Sequence, residues 1–126
     1  MRKETENWWA QAEADLKSAN NSMSSGDYYA SVFWFQQAVE KAFKTLCLIK
    51  LKEIPKGHSI IFFAQKLKVP EEMLSGIREL NPEYLITRYP DMAEGIPAEL
   101  YDKSICSKHQ QTAERVLKWI KSQIPK

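Results

Sequence analysis

Apolar residues recur along this chain at helical spacing almost from end to end. In residues 5–25 the positions Trp8, Ala12, Leu16, Ala19 and Met23 follow one another at intervals of three and four, which predicts one helical stripe. Asn20, Asn21, Ser24, Ser25 and Gly26 close it, with Gly26 suited to the left-handed residue after a helix. Asp27 is expected to cap a second helix running to about Leu51. Its stripe is broad, and its first half is apolar nearly all the way round: Tyr28, Tyr29, Val32, Phe33, Trp34 and Phe35 fall within eight positions. Gln36, Gln37, Glu40, Lys41 and Lys44 form a polar strip on the same helix. The short Ser-Gly turn makes the first two helices antiparallel neighbours.

Pro55 and Gly57 then break the chain. A shorter helix is predicted over residues 59–67, and Val69-Pro70-Glu71-Glu72 starts a fourth that carries Met73, Leu74, Ile77 and Leu80. Asn81-Pro82 either ends that helix or opens one more turn. Residues 84–99 are the least regular stretch and read as an ordered loop; 84–87 could pass for a strand, but nothing offers it a partner strand. A final helix is predicted over 102–124, with Ile105, Cys106, His109, Ala113, Val116, Leu117, Ile120 and Ile124 on its apolar stripe. The expected fold is all-α: an up-and-down bundle of about five helices, three long and two short, forming a single domain over residues 1–126.

Length and composition agree with that pattern. A chain of 126 residues, 44% hydrophobic, is about one domain and can bury an ordinary core. Only 4 Gly and 6 Pro argue against disorder and against a loop-rich β fold. A formal net charge of +2 gives no general pull toward nucleic acid or membrane. The longest apolar runs, 32–35 and 60–64, are far below the ~18–20 residues of a membrane span. No apolar stretch of signal-peptide length follows the N-terminus, so a cytoplasmic location is expected. Cys47 and Cys106 stand far apart inside helical patterns and are expected to be buried, reduced thiols.

Most catalytic signatures are missing. There is no HExxH, no Cys/His quartet and no Glu-x-x-His pair, so neither a metal nor any other cofactor is expected. The four glycines are isolated, which excludes a P-loop, a dinucleotide fingerprint and a nucleophile elbow. His109, on an apolar stripe, reads as a core or interface histidine. His58 reads as a capping-region residue, with a ligand contact as the lesser alternative. The stretch Arg88-Tyr89-Pro90-Asp91 stands out: arginine offers a fixed fork of donors for phosphate or carboxylate, and proline stiffens the loop. Arg88 can serve a ligand, or can pair with Asp91 or Glu40 to hold the loop.

Several of these stretches together resemble the HEPN domain family of prokaryotes. They are the Trp-bearing first helix, Asp27-Tyr-Tyr-Ala30-Ser-Val-Phe, Gln36-Gln37-Ala38-Val39-Glu40-Lys41-Ala42-Phe43-Lys44, Lys56-Gly57-His58-Ser59, Thr87-Arg88-Tyr89-Pro90-Asp91 and the Tyr101-Asp102 start of the last helix. The resemblance covers residues 5–124. It implies an all-α bundle that commonly forms homodimers and is often encoded beside a small nucleotidyltransferase, as half of a toxin–antitoxin-type pair. Other members are metal-independent RNases that use an Arg followed closely by a His. Here the histidine after Arg88 is His109, 21 positions on, so that motif does not carry over.

The leading expectation is therefore a non-catalytic module that binds a nucleotide or a protein partner through Gln37, Glu40, Lys44, Arg88 and Asp91. One alternative is a metal-independent RNase with a composite Arg88/His109 site; another is a dimeric helical scaffold. A second copy is expected over Tyr28, Tyr29, Val32, Phe33 and Phe35, because one small bundle has difficulty covering every direction of so apolar a helix.

Overall fold

The computed structural model describes residues 2–125. Three long helices make its frame: α1 (Lys3–Ser24), α2 (Tyr28–Leu51) and α7 (Lys103–Gln123). Between α2 and α7 lie α3 (Ile60–Lys66), a 3-10 turn at Glu71–Met73 running into α4 (Leu74–Leu80), then α5 (Glu83–Ile86), α6 (Pro90–Ala93) and a second 3-10 turn at Pro97–Glu99. No strand occurs among the described residues.

The breaks have local causes. Gly26 takes φ +83, the left-handed value that ends α1 and reverses the chain. The Ser59 hydroxyl accepts from Phe62 N at 3.2 Å to cap α3, and the Asp102 carboxylate accepts from Ile105 N at 2.8 Å to cap α7. Asp27 stands at the cap position of α2 but differs from expectation. Its side chain makes no capping bond; it receives the Ser25 hydroxyl at 3.4 Å instead. The expected loop over 84–99 is in fact built from single helical turns. Each is too short to display a 3.6-residue stripe, and Pro82, Pro90 and Pro97 start them where a missing N–H costs nothing.

Helix α2 is central. It packs along α1 and α7, and α3 and α5 cover part of the remaining circumference. Phe35, Val39, Ala42, Phe43 and Leu46 are fully buried with Phe63, Ile77, Leu80, Val116 and Ile120 from the surrounding helices. Burying each large apolar side chain contributes roughly 1.5–3 kcal/mol. Small residues let α1, α2 and α7 approach closely: Ala12 and Ala19 are fully buried, the Ser31 hydroxyl donates to Ala19 O at 2.7 Å, and the Cys106 thiol donates to Ser31 Oγ at 3.1 Å.

This packing corrects the expected partner surface. Val32 and Phe35 have no exposed area and belong to the chain's own core. Tyr28, Tyr29 and Phe33 keep surface to offer another molecule. No described helix is long and apolar enough to cross a membrane.

Candidate functional site

Residues 33, 37, 40, 41 and 44 fall three or four apart on α2, so they share one helix face. That face is left partly open between α1 on one side and α3 and α5 on the other. Its centre is Glu40, whose side chain is only 5% exposed. Burying a carboxylate is costly unless it is paired and hydrogen-bonded, and Glu40 is both. Lys44 Nζ donates to Oε2 at 3.1 Å, Gln36 Nε2 reaches Oε1 at 3.4 Å, and His58 Nδ1 lies 3.1 and 3.2 Å from the two oxygens. Gln36 also donates to His58 O at 3.3 Å, and Gln37 donates to Gln36 Oε1 at 2.7 Å. The loop before α3 is thus tied to the middle of α2.

His58 is the residue that the sequence did not single out as functional. Its ring stacks on Tyr84 with centroids 4.9 Å apart, and 54% of its side chain stays exposed. With the proton on Nδ1 toward Glu40, the other ring nitrogen is a free acceptor. No linear signal marks the pair, because 18 residues and a helix end separate Glu40 from His58.

Tyr84 links this cluster to Arg88. Arg88 Nε donates to Tyr84 O at 2.6 Å, and the guanidinium lies 5.2 Å from the Phe33 ring and 5.0 Å from the Tyr89 ring. Neither expected pairing forms: among the described residues no carboxylate, Glu40 and Asp91 included, lies within ion-pair distance of Arg88. Asp91 is exposed in the first turn of α6. Arg88 is therefore oriented by a carbonyl and two rings, while the terminal nitrogens of its fork remain uncompensated. At the other end of the strip, the Lys44 ammonium sits 5.9 Å from the Trp8 ring and 5.7 Å from the Phe63 ring. Lys41 pairs with the buried carboxylate of Asp15.

His109 occupies different surroundings. It is buried on α7, with Nε2 3.9 Å from Oε2 of buried Glu83, an oxygen with no hydrogen-bond partner among the described residues. Burial holds the His109 pKa below the ordinary histidine value, partly opposed by Glu79. Burial raises that of Glu83, although the Tyr101 hydroxyl bonds to it. Arg88 is exposed, whereas His109 is buried against Glu83. Among the described residues no group of three His, Cys, Asp or Glu is placed to hold a metal ion.

Large apolar side chains remain exposed near Arg88. Tyr89, Met92, Ile96 and Leu100 all follow it within one irregular segment. Of these four, Tyr89 is the one whose ring lies against the Arg88 guanidinium.

Comparison with known proteins places this architecture. The model of the HEPN domain matches residues 5–123. The crystal structure of TT1696 from Thermus thermophilus is 29% identical with a TM-score of 0.90, covering 98% of this chain and 100% of that one. ST0689, described as an archaeal HEPN homologue, is 36% identical with a TM-score of 0.85, covering 99% of this chain and 100% of that one. A HEPN domain protein from Thermotoga maritima, 24% identical with a TM-score of 0.73, shares the fold over 93% of this chain and 96% of its own. A search of curated proteins found no significant match.

Proposed function

The chain belongs to the HEPN domain family, and from that premise we propose that it is a non-catalytic module that binds a nucleotide, acting in the cytoplasm as a homodimer beside a nucleotidyltransferase partner in a toxin–antitoxin-type pair. The observation that carries the binding role is Arg88: a guanidinium fixed by the Tyr84 carbonyl and two aromatic faces, with no carboxylate to neutralise it. Such a fork suits a phosphate. Gln37, Glu40 and Lys44 continue along the same α2 face from Phe33, on which Arg88 packs, and exposed Asp91 follows three residues after Arg88. The buried Glu40 already holds Lys44 and His58, so that face is organised before a ligand arrives. Preorganisation of that kind lowers the cost of binding.

The exposed Tyr29, Tyr89, Met92, Ile96 and Leu100 favour the partner role. Exposed apolar side chains of this size leave surface that a partner can cover. Catalysis of RNA cleavage by Arg88 with His109 has less support, because the histidine is buried against Glu83 and keeps little surface for a substrate.

RNA cleavage in EDTA separates the readings. Wild type, Arg88→Ala and His109→Ala are expected to leave RNA intact, while ATP or tripolyphosphate raises the melting temperature of wild type and not of Arg88→Ala. Cleavage by wild type that both variants lose would establish the composite RNase and overturn this proposal.

A further inference from the structure

An open cleft of about 350 Å3 lies on the flank of the same α2 face, lined by Glu4, Asn7, Trp8 and Gln11 of α1 and by Lys41 of α2. Its volume falls in the range of small-ligand pockets, roughly 300–1,000 Å3. The α1 residues sit at positions i, i+3, i+4 and i+7, so one helix face supplies a flat indole with polar groups on either side of it. The polar groups differ in what they have left to offer. Gln11 donates its amide N–H to Asp15 at 2.8 Å, which leaves its carbonyl oxygen as an acceptor. Lys41 is engaged by Asp15. Asn7 makes no side-chain hydrogen bond among the described residues, and Glu4 makes no ion pair. The cleft thus combines an aromatic platform, a free amide with one donor and one acceptor side, and a free carboxylate.

We infer that this cleft is a nucleobase subsite that takes a purine ring stacked on Trp8, its edge read by Asn7 and Glu4. A side-chain amide matches the N6 donor and N7 acceptor of adenine, and a carboxylate accepts from the exocyclic amine. Guanine can offer its N1–H and exocyclic amine to the carboxylate and its O6 to the amide, so both purines fit the same pair of groups. The inference rests on the nucleotide reading above and extends it from the anion to the base. Lys44 belongs to the base region, its ammonium near the Trp8 ring while bonded to Glu40, whereas Arg88 packs on Phe33 eleven residues, about 16 Å, back along α2, so the two regions are separate subsites. The base can come from a free nucleotide or from a purine in single-stranded RNA; the stacking chemistry is shared.

The test uses ligands that split the two regions: adenosine, which has no phosphate, and tripolyphosphate, which has no base. Adenosine affinity is expected to fall about tenfold in Trp8→Ala and several-fold in Asn7→Ala, and to persist in Trp8→Phe. Guanosine is expected to bind as well as adenosine, and a pyrimidine nucleoside more weakly than either. Asn7 is exposed, so Asn7→Ala keeps the test valid should Trp8→Ala fail to fold. Adenosine that does not bind wild type, or that binds Asn7→Ala and every folded Trp8 variant equally well, overturns the subsite whatever tripolyphosphate does. Failure of tripolyphosphate alone overturns the Arg88 reading and leaves the base subsite standing. With the subsite supported, AMP binding as tightly as hexa-adenylate assigns it to a free nucleotide, and tighter binding of hexa-adenylate, by about tenfold, assigns it to RNA.

Discussion

The imidazole Nδ1 of His58 lies 3.1 Å from Oε1 of Glu40, a carboxylate that also receives the Lys44 ammonium at 3.1 Å on its other oxygen. One nearly buried acid thus holds both a cation of its own helix and the loop that leads into α3. Removing one partner of such a pair strands a buried charge, at a cost of about 3–5 kcal/mol. Glu40→Ala is expected to lose stability on that order in urea unfolding. His58→Ala, which removes an exposed side chain, is expected to cost less than about 1 kcal/mol.

Arg88 contributes little to the core, since it is exposed and bonds only a carbonyl. Arg88→Ala should shift the urea midpoint by less than the equivalent of about 1 kcal/mol. Anion affinity, measured by calorimetry with tripolyphosphate, should fall about tenfold or more. Arg88→Lys should recover only part of it, because an ammonium lacks the planar fork.

The buried pair on α5 and α7 gives a pH signature with opposite signs. His109 binds its proton less readily in the folded chain than at the ordinary value of 6.5, so acidification below about pH 6.5 favours the unfolded state. Wild type should lose stability through that window, and His109→Gln should remove this part of the loss. Glu83 is raised from 4.5, so its contribution is present below about pH 4.5 and is lost as pH rises toward and through its folded value. Glu83→Gln should therefore gain stability relative to wild type on going from about pH 4.5 to 7. Urea midpoints across the pH range check both.

Cys47 is buried, and desolvation pushes its pKa up to about 11 despite nearby Lys66. The thiolate is the reactive form, so native protein should react with a neutral-pH thiol reagent far more slowly than denatured protein. Labelling before and after urea addition reads this directly.

Gly76 in α4 faces Thr112 of α7, and a methyl group there would run into the threonine side chain. Gly76→Ala is expected to destabilise by about 1–2 kcal/mol despite the better helix propensity of alanine. In a Thr112→Ala background the same change should cost less, a coupling that a double-mutant cycle measures.

The amino-acid order alone determined the helices that repeat a stripe often enough to be read. The spacing of Trp8, Ala12, Leu16 and Ala19, and that of Ile105, His109, Ala113 and Val116, fixes which face of α1 and α7 is buried, because only a 3.6-residue period puts those side chains together. It also determined the breaks at Gly26, Ser59 and Asp102, where one residue's own conformation or side chain closes the turn. It placed Gln37, Glu40 and Lys44 on one strip, since they share a helix. Tertiary structure alone decided what faces that strip. Single helical turns at α5 and α6 carry no period, so their paths depend on packing. Glu40 meets His58, and Phe33 meets Arg88, across loops whose closure no local pattern encodes. Val32 and Phe35 turned inward for the same reason: hydrophobicity sets that a side chain leaves water, and only the arrangement of neighbouring helices sets whether its own chain or another covers it.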